Sequence, residues 1–368
     1  MPNPDTYGIY LHIPYCRSKC RYCDFYSAPG TRGVPDEYVT ALLRELSKSS
    51  RRPDTLYFGG GTPALLRPDQ VHRLIKAAAP LPGAEITLEA NPDVVTPENL
   101  AGFAAAGVTR ISFGVQSADD AQLRRLGRTH TAAAAAQAFA WAREAGFREI
   151  CGDIMLALPY YSIAEFDKTL ALLQAGGCTH ISAYLLKIEP GTAVGRNPPP
   201  GLPDADAAAE FYLYAVQRLA QEGYRQYEIS NFALPQRESR HNSSYWRDVP
   251  YMGLGASAHS FDGRQRSWNV ADIEAYIAAI GRGERPCTVE ALDPDTHYED
   301  VVLTSLRTAE GIDLGKIRRD FGSQRLDFLL AAADQDLRQG YLVREDDHLR
   351  LTRRGIYLSD GITARLFV

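Results

Sequence analysis

Residues 10–25 read Tyr-Leu-His-Ile-Pro-Tyr-Cys-Arg-Ser-Lys-Cys-Arg-Tyr-Cys-Asp-Phe, and the rest of the chain is best understood outward from them. The first residues alternate aromatic, aliphatic and polar types as a buried strand does. The second half places Cys16, Cys20 and Cys23 in a C-x3-C-x2-C loop directly after that strand. Three thiolates on one short loop can grip three corners of an iron–sulfur cube. A structural [4Fe-4S] cluster takes four protein thiolates. Three leave one iron open to a small molecule, by the logic that separates catalytic from structural zinc sites. Arg17, Lys19 and Arg21 lie between the thiols and are expected to favour ionised sulfur. The competing reading, a zinc site completed by His12, asks a strand residue four positions upstream to turn into the loop. Cys151, Cys178 and Cys287 are isolated; the first two read as small buried strand residues and the last as incidental.

Beyond this loop, β-branched or aromatic runs at 7–13, 55–59, 85–90, 110–115, 149–156 and 180–186 alternate with helical patterns at 36–47, 68–78, 97–106, 131–145 and 162–174. Pro or an acidic residue opens several of these helices, and Gly107, Gly146 and Gly176 punctuate their ends. Six strand–helix units in a row predict an α/β fold with a parallel sheet and helices outside. An open doubly wound sheet and a full or partial barrel both satisfy that pattern. Residues 198–203 (PPPGLP) read as a loop, 204–222 as a helix, 227–246 as a loop rich in polar and aromatic groups, and 273–281 as a short helix. From about residue 293 the character changes. Helical patterns at 297–308, 314–321 and 325–339 lead to a hairpin over 342–351 that turns at Asp346-Asp347, a winged-helix-like arrangement. The expected division is a main domain over 1–290 and an accessory domain over 291–368.

The composition, 45% hydrophobic and 23% charged over 368 residues, is that of a globular protein large enough for two cores. A net charge of −5 gives no electrostatic reason to expect nucleic acid as the partner. Residues 1–7 lack the basic and apolar regions of a secretory leader, and no apolar run is long enough for a transmembrane segment. The expected location is the cytoplasm, where thiols stay reduced.

The cysteine loop resembles the signature of the radical S-adenosylmethionine (SAM) superfamily. The wider stretch 10–25 resembles its coproporphyrinogen III dehydrogenase-like branch, which includes the HemN and HemW types. Phe25 stands where the dehydrogenases carry one more cysteine, and C-x3-C-x2-C-x-F is the HemW-type form. The similarity runs over essentially the whole chain. It implies a partial (βα)6 TIM-like barrel with a small C-terminal helical, winged-helix-like domain. It also implies a [4Fe-4S] cluster on Cys16, Cys20 and Cys23 with SAM on the open iron. Tyr10, Tyr22, Gly60, Gly61, Thr62, Glu89, Gln116, Arg128 and Asp153 match positions that contact SAM in this family. These residues fall at or near the ends of successive strands, where barrel enzymes keep their working groups. Glycines at 59–61 would let backbone approach a ligand, and Glu89 and Asp153 suit ribose hydroxyls or a sulfonium-bearing ligand. The implied chemistry is reductive cleavage of SAM into methionine and a 5′-deoxyadenosyl radical, which the cofactor supplies and the protein positions.

The stretch His241-Asn-Ser-Ser-Tyr245-Trp246 resembles the HNxxYW motif that accompanies HemW-type proteins. On residues alone it reads as a structural loop with inward aromatics. The resemblance implies haem ligation by His241, with Tyr245 and Trp246 offering flat apolar faces. His259 is expected to line the barrel mouth and His130 to cap a helix. The absent cysteine at Phe25 and the short run of fifteen residues before Cys16 argue against oxidative decarboxylation. The function implied is a haem chaperone that hands haem to acceptor proteins, respiratory haem proteins among them, with the SAM chemistry regulatory or vestigial. Flavodoxin or ferredoxin is the kind of electron donor expected, and membrane association would be transient. Two enzyme readings stand beside it: an oxygen-independent coproporphyrinogen III dehydrogenase, and a HemN-like radical methyltransferase or cyclopropanase acting on small molecules.

Overall fold

The computed structural model describes residues 6–368; residues 1–5, which carry most of the leader-free reading of the N-terminus, lie outside the described residues. Six βα units come first: β1 (Gly8–Ile13), α1 (Asp36–Leu46), β2 (Thr55–Gly60), α2 (Pro68–Ala78), β3 (Glu85–Ala90), α3 (Pro97–Ala106), β4 (Arg110–Gln116), α4 (Asp120–Arg125), α5 (Ala132–Glu144), β5 (Glu149–Leu156), α6 (Ile163–Gly176) and β6 (His180–Leu185). The middle of the chain forms α7 (Ala193–Arg196), α8 (Ala205–Gln221), β7 (Arg225–Gln226), β8 (Asn231–Ala233), α9 (Arg240–Trp246), β9 (Tyr251–Leu254), β10 (His259–Phe261), β11 (Gln265–Asn269), α10 (Ile273–Gly281) and β12 (Cys287–Ala291). The C-terminal part is α11 (Pro294–Leu306), β13 (Ile312–Asp313), α12 (Leu314–Phe321), α13 (Ser323–Arg338), β14 (Leu342–Glu345), β15 (His348–Leu351) and α14 (Ser359–Arg365).

Strands β1 to β6 lie side by side in chain order and all run parallel. They do not close on themselves: β6 takes antiparallel β8 as its next neighbour, and β1 takes parallel β9. The result is the expected partial (βα)6 barrel, widened at one edge by β9 to β12. Strand parity explains its lining. Ile9, Leu11 and Ile13 are fully buried in the hydrophobic layer, whereas Tyr10 packs inward on Tyr57 and hydrogen-bonds His12. The β4 end is bent: its register with β5 shifts between Gly114 and Gln116, and Gln116 takes φ +67°.

The structure corrects the reading of 227–246 as a loop, because β8 and α9 form there. It also adds β9 to β12, which interrupted runs such as Gly253-Leu-Gly255 conceal. Cys178 is buried but sits just ahead of β6 rather than within a strand. In the C-terminal part, Tyr298, Val302, Leu314, Ile317, Leu329 and Leu349 form a second hydrophobic cluster beneath the β14–β15 hairpin. That hairpin turns on Asp346 and Asp347, both at positive φ as a two-residue type I′ turn requires. Among the described residues no helix is long and apolar enough to cross a membrane.

Candidate functional site at the barrel mouth

The cysteine loop leaves β1 at its C-terminal end and is tied back onto itself. The Cys16 amide donates to Ala28 O (3.0 Å), the Thr31 amide to Cys16 O (3.1 Å) and the Cys23 amide to Cys20 O (3.3 Å). Its outer turn is held from across the mouth, because the Arg21 amide donates to Leu126 O and Arg21 O accepts from the Val194 amide. Cys16, Cys20 and Cys23 are all free thiols. Burial pushes the Cys23 thiol up and Cys20 and Cys16 add to that, while the Phe25 amide and the Lys19 ammonium pull it down. Of the three basic residues in the loop, Lys19 acts as expected. Arg17 points away to donate to Asp93 O (2.6 Å).

A polar chain starts at the first cysteine. Thr62 Oγ1 donates to Cys16 Sγ (3.4 Å) and accepts from Asn91 Nδ2 (3.2 Å). Asn91 Oδ1 accepts from Arg128 (2.7 Å), and the Arg128 guanidinium lies 5.9 Å from the centre of the Tyr22 ring. Gly114 makes room for it, since a Cβ there would meet the Arg128 guanidinium at 2.6 Å. Asn91 was missed by the sequence reading, although it stands two residues beyond Glu89.

Below this chain lie the inward groups of the barrel. Tyr57, also unforeseen, donates to Glu89 Oε1 (2.7 Å) and stacks on Tyr10. Burial, reinforced by the Asp153 charge, raises Glu89 to about 7 against the pull of the Tyr57 hydrogen bond. Asp153 is raised by burial while Ser182, Ser112 and Arg128 hold it down. Tyr22, Thr62, Gly60, Gly61, Glu89, Gln116, Arg128, Asp153 and Tyr10 therefore belong to the lumen and mouth on the cysteine side. The glycines also have a neighbour within the protein. A Cβ on Gly60 would meet the His12 ring at 2.7 Å and one on Gly61 would meet Tyr15 O at 2.7 Å, so both glycines admit β1 and its loop.

His241 is at the other end. It opens α9 beneath the N-terminal ends of β1 and β2, against Gly8 and Thr55. Its Nδ1 is hydrogen-bonded to Thr55 Oγ1 (2.8 Å) and its Nε2 to the Tyr245 hydroxyl (2.8 Å), and its ring stacks on Tyr57 at 4.9 Å. It is fully buried, which lowers it to about 3. In this conformation both ring nitrogens of His241 are engaged, by Thr55 and Tyr245, and neither is offered to a haem iron. The imidazole is a plug between barrel floor and α9. His12 is likewise committed: it accepts from Tyr10 and donates to Tyr26 O (3.0 Å). His130 donates to Val115 O, and Thr131 caps α5 in its place.

The donor set suits the groups the sequence implies. A cube takes its protein sulfurs on separate iron corners, and Cys16, Cys20 and Cys23 supply three free thiols from one hydrogen-bonded loop. Arg128 Nε is buried without a hydrogen-bond partner beside Tyr22, a donor suited to a carboxylate. On the cysteine loop Phe25 is 63% exposed, and Tyr184 and Leu185, both 42% exposed, stand at the C-terminal end of β6.

Comparison with known families matches residues 10–173 to the radical SAM superfamily and residues 292–358 to the HemN C-terminal domain. The chain is 34% identical to the heme chaperone HemW of Mycobacterium tuberculosis, over 98% of this chain and 94% of that one. It is 32% identical to the heme chaperone HemW of Bacillus subtilis, over 96% and 97%. Among solved structures, the coproporphyrinogen III oxidase HemN from Escherichia coli superposes with a TM-score of 0.83 at 22% identity, covering 100% of this chain and 91% of that one.

Proposed function

This chain belongs to the HemW-type branch of the radical SAM superfamily, and on that premise we propose that it is a haem chaperone working at the barrel mouth. Cys16, Cys20 and Cys23 hold a [4Fe-4S] cluster. Tyr10, Tyr22, Gly60, Gly61, Thr62, Glu89, Gln116, Arg128 and Asp153 enclose SAM. When bound, the two groups supply reductive carbon–sulfur cleavage. The chain's own residues orient the ligand: Thr62 braces Cys16, Arg128 addresses a carboxylate, and Glu89 and Asp153 face a cationic or hydroxyl-bearing part.

The observation that carries the haem reading is Phe25, exposed two residues beyond Cys23. It offers an exposed aromatic face beside the cysteine loop to one side of a macrocycle, at the position where a dehydrogenase would place another cysteine. Haem is therefore assigned to the face that Phe25 presents and not to His241, whose ring nitrogens are both engaged. The chain divides at about residue 290, the protein is cytoplasmic, and haem passes to an acceptor protein while an electron donor of flavodoxin or ferredoxin type serves the cluster.

Anaerobic titration of the reconstituted protein with haem, followed through the Soret band, tests this together with a coproporphyrinogen assay on the same preparation. Saturable binding without porphyrinogen turnover, weakened by Phe25→Ser, is expected. Conversion of coproporphyrinogen with SAM consumption would replace the chaperone by the dehydrogenase.

A further inference from the structure

We propose that the seam between α8 and the segment following β15 is a docking groove for an acidic peptide segment with an apolar anchor, presented by a partner protein. It lies apart from the cysteine loop and does not depend on the haem reading.

The groove holds about 570 Å³. Leu213 and Val216 of α8 form one wall, Tyr341 and Tyr357 the other, and Arg353 and Arg354 stand at its edge. A second hollow of about 370 Å³ shares Tyr341 and Tyr357 and carries the surface onward past Leu358, giving an elongated cleft. Leu213 is 41% exposed and Leu358 45%, so apolar surface lies open along it.

The charge of this cleft runs against that of the molecule. The chain has 45 acidic and 40 basic residues, yet no Asp or Glu lines either hollow. Arginines nearby are matched internally: Arg350 pairs with Glu345, and Arg365 with the buried Asp336. Arg353 has no ion pair or hydrogen bond among the described residues, and Arg354 only overlies the Tyr341 ring at 5.4 Å. Two uncommitted guanidinium groups beside a tyrosine-floored cleft combine the residue types that dominate protein–protein hot spots. Their complement is a carboxylate-rich segment whose apolar side chain enters between Leu213 and Tyr357. A hollow set between α8 and that segment suits a chain segment and not the plane of a bilayer.

The test is fluorescence anisotropy with the full-length reconstituted protein and a labelled octapeptide, Glu-Glu-Leu-Glu-Glu-Phe-Glu-Glu. Saturable binding is expected, together with weaker binding of the Lys-for-Glu peptide and of a peptide with Ser in place of Leu and Phe. The double variant Arg353→Glu, Arg354→Glu should lose roughly tenfold or more in affinity. The variant Arg353→Lys, Arg354→Lys should retain most of it, and both should keep the wild-type circular dichroism and cluster absorbance. Absent binding, equal binding of the basic peptide, or indifference to charge reversal overturns the proposal. So does charge-dependent sedimentation with phosphatidylglycerol vesicles without peptide binding, which would assign the arginines to a membrane surface.

Discussion

Thr62 Oγ1 donates to Cys16 Sγ at 3.4 Å, tying the end of the second strand to the first cysteine of the loop that leaves the first. The hydroxyl also receives Asn91 Nδ2, so one buried atom joins the thiol to the chain that ends at Arg128. Thr62→Val keeps the shape and removes both roles. The variant is expected to lose about 1–3 kcal/mol of stability, because the Asn91 donor is left unpaired. Its reconstituted cluster should bleach faster under a chelator, which the decay of visible absorbance measures.

Gly114→Ala leaves the core intact but places a methyl group 2.6 Å from the Arg128 guanidinium. The flexible end of Arg128 yields and its bond to Asn91 is lost. Affinity for SAM should fall roughly tenfold, the equivalent of one charge-assisted hydrogen bond, with the cluster unchanged. Isothermal titration under anaerobic conditions reads the first and absorbance the second.

Glu89 gives the site a pH dependence. Burial holds it protonated up to about 7, whereas a sulfonium ligand favours the carboxylate. SAM binding should tighten as pH rises through that value and release a proton, and Glu89→Gln should flatten the profile. Titrations in buffers of different ionisation enthalpy count the proton.

His241 governs acid stability. Its imidazole titrates near 6.5 when unfolded and near 3 when folded, because burial excludes the charged form. Between these values the unfolded chain binds more protons, so the contribution is whole above 6.5 and is lost as pH falls toward 3. His241→Ala should cost about 3 kcal/mol or more through the cavity and the two lost hydrogen bonds. Urea midpoints across pH measure this. Haem affinity of the folded fraction should be unchanged, and a selective loss would restore His241 as a ligand.

His297 of α11 shows the opposite sign. Asp248, at 3.0 Å, raises it despite burial and the Lys316 charge, with Asp300 adding to the rise. Its contribution is complete below 6.5 and lost as pH rises through the folded value. His297→Gln should remove that alkaline slope, an effect of about 1 kcal/mol for a partly exposed pair. Denaturation midpoints from about pH 6 to about 9 show it.

Much of this architecture is local and therefore readable in one dimension. Helices 68–78, 97–106 and 273–281 and strands 85–90 and 149–156 match their predicted limits, because period, proline starts and glycine ends are properties of neighbours in the chain. The strands β9 to β12 were hidden, since they are short, β9 pairs with the remote β1, and glycines interrupt the alternation. The residues matched to SAM contacts came from the family resemblance, whereas the neighbours Tyr57 and Asn91 became visible only when β2 and β3 lay side by side.

Taken alone, the amino-acid order determined the three-thiol loop, the alternating βα units and the chemistry implied by a missing fourth sulfur, since all of these reside in spacing over a few residues. Tertiary structure decided which end of the barrel each group occupies. The sequence does not say how His241 and Cys16 lie relative to one another, and parallel strands carry their two ends to opposite faces. A histidine docked beneath the N-terminal ends of β1 and β2 is sealed by Thr55, Tyr57 and Tyr245, while the thiols emerge where β1 ends. The direction of a strand, fixed only by its pairing, separates the two.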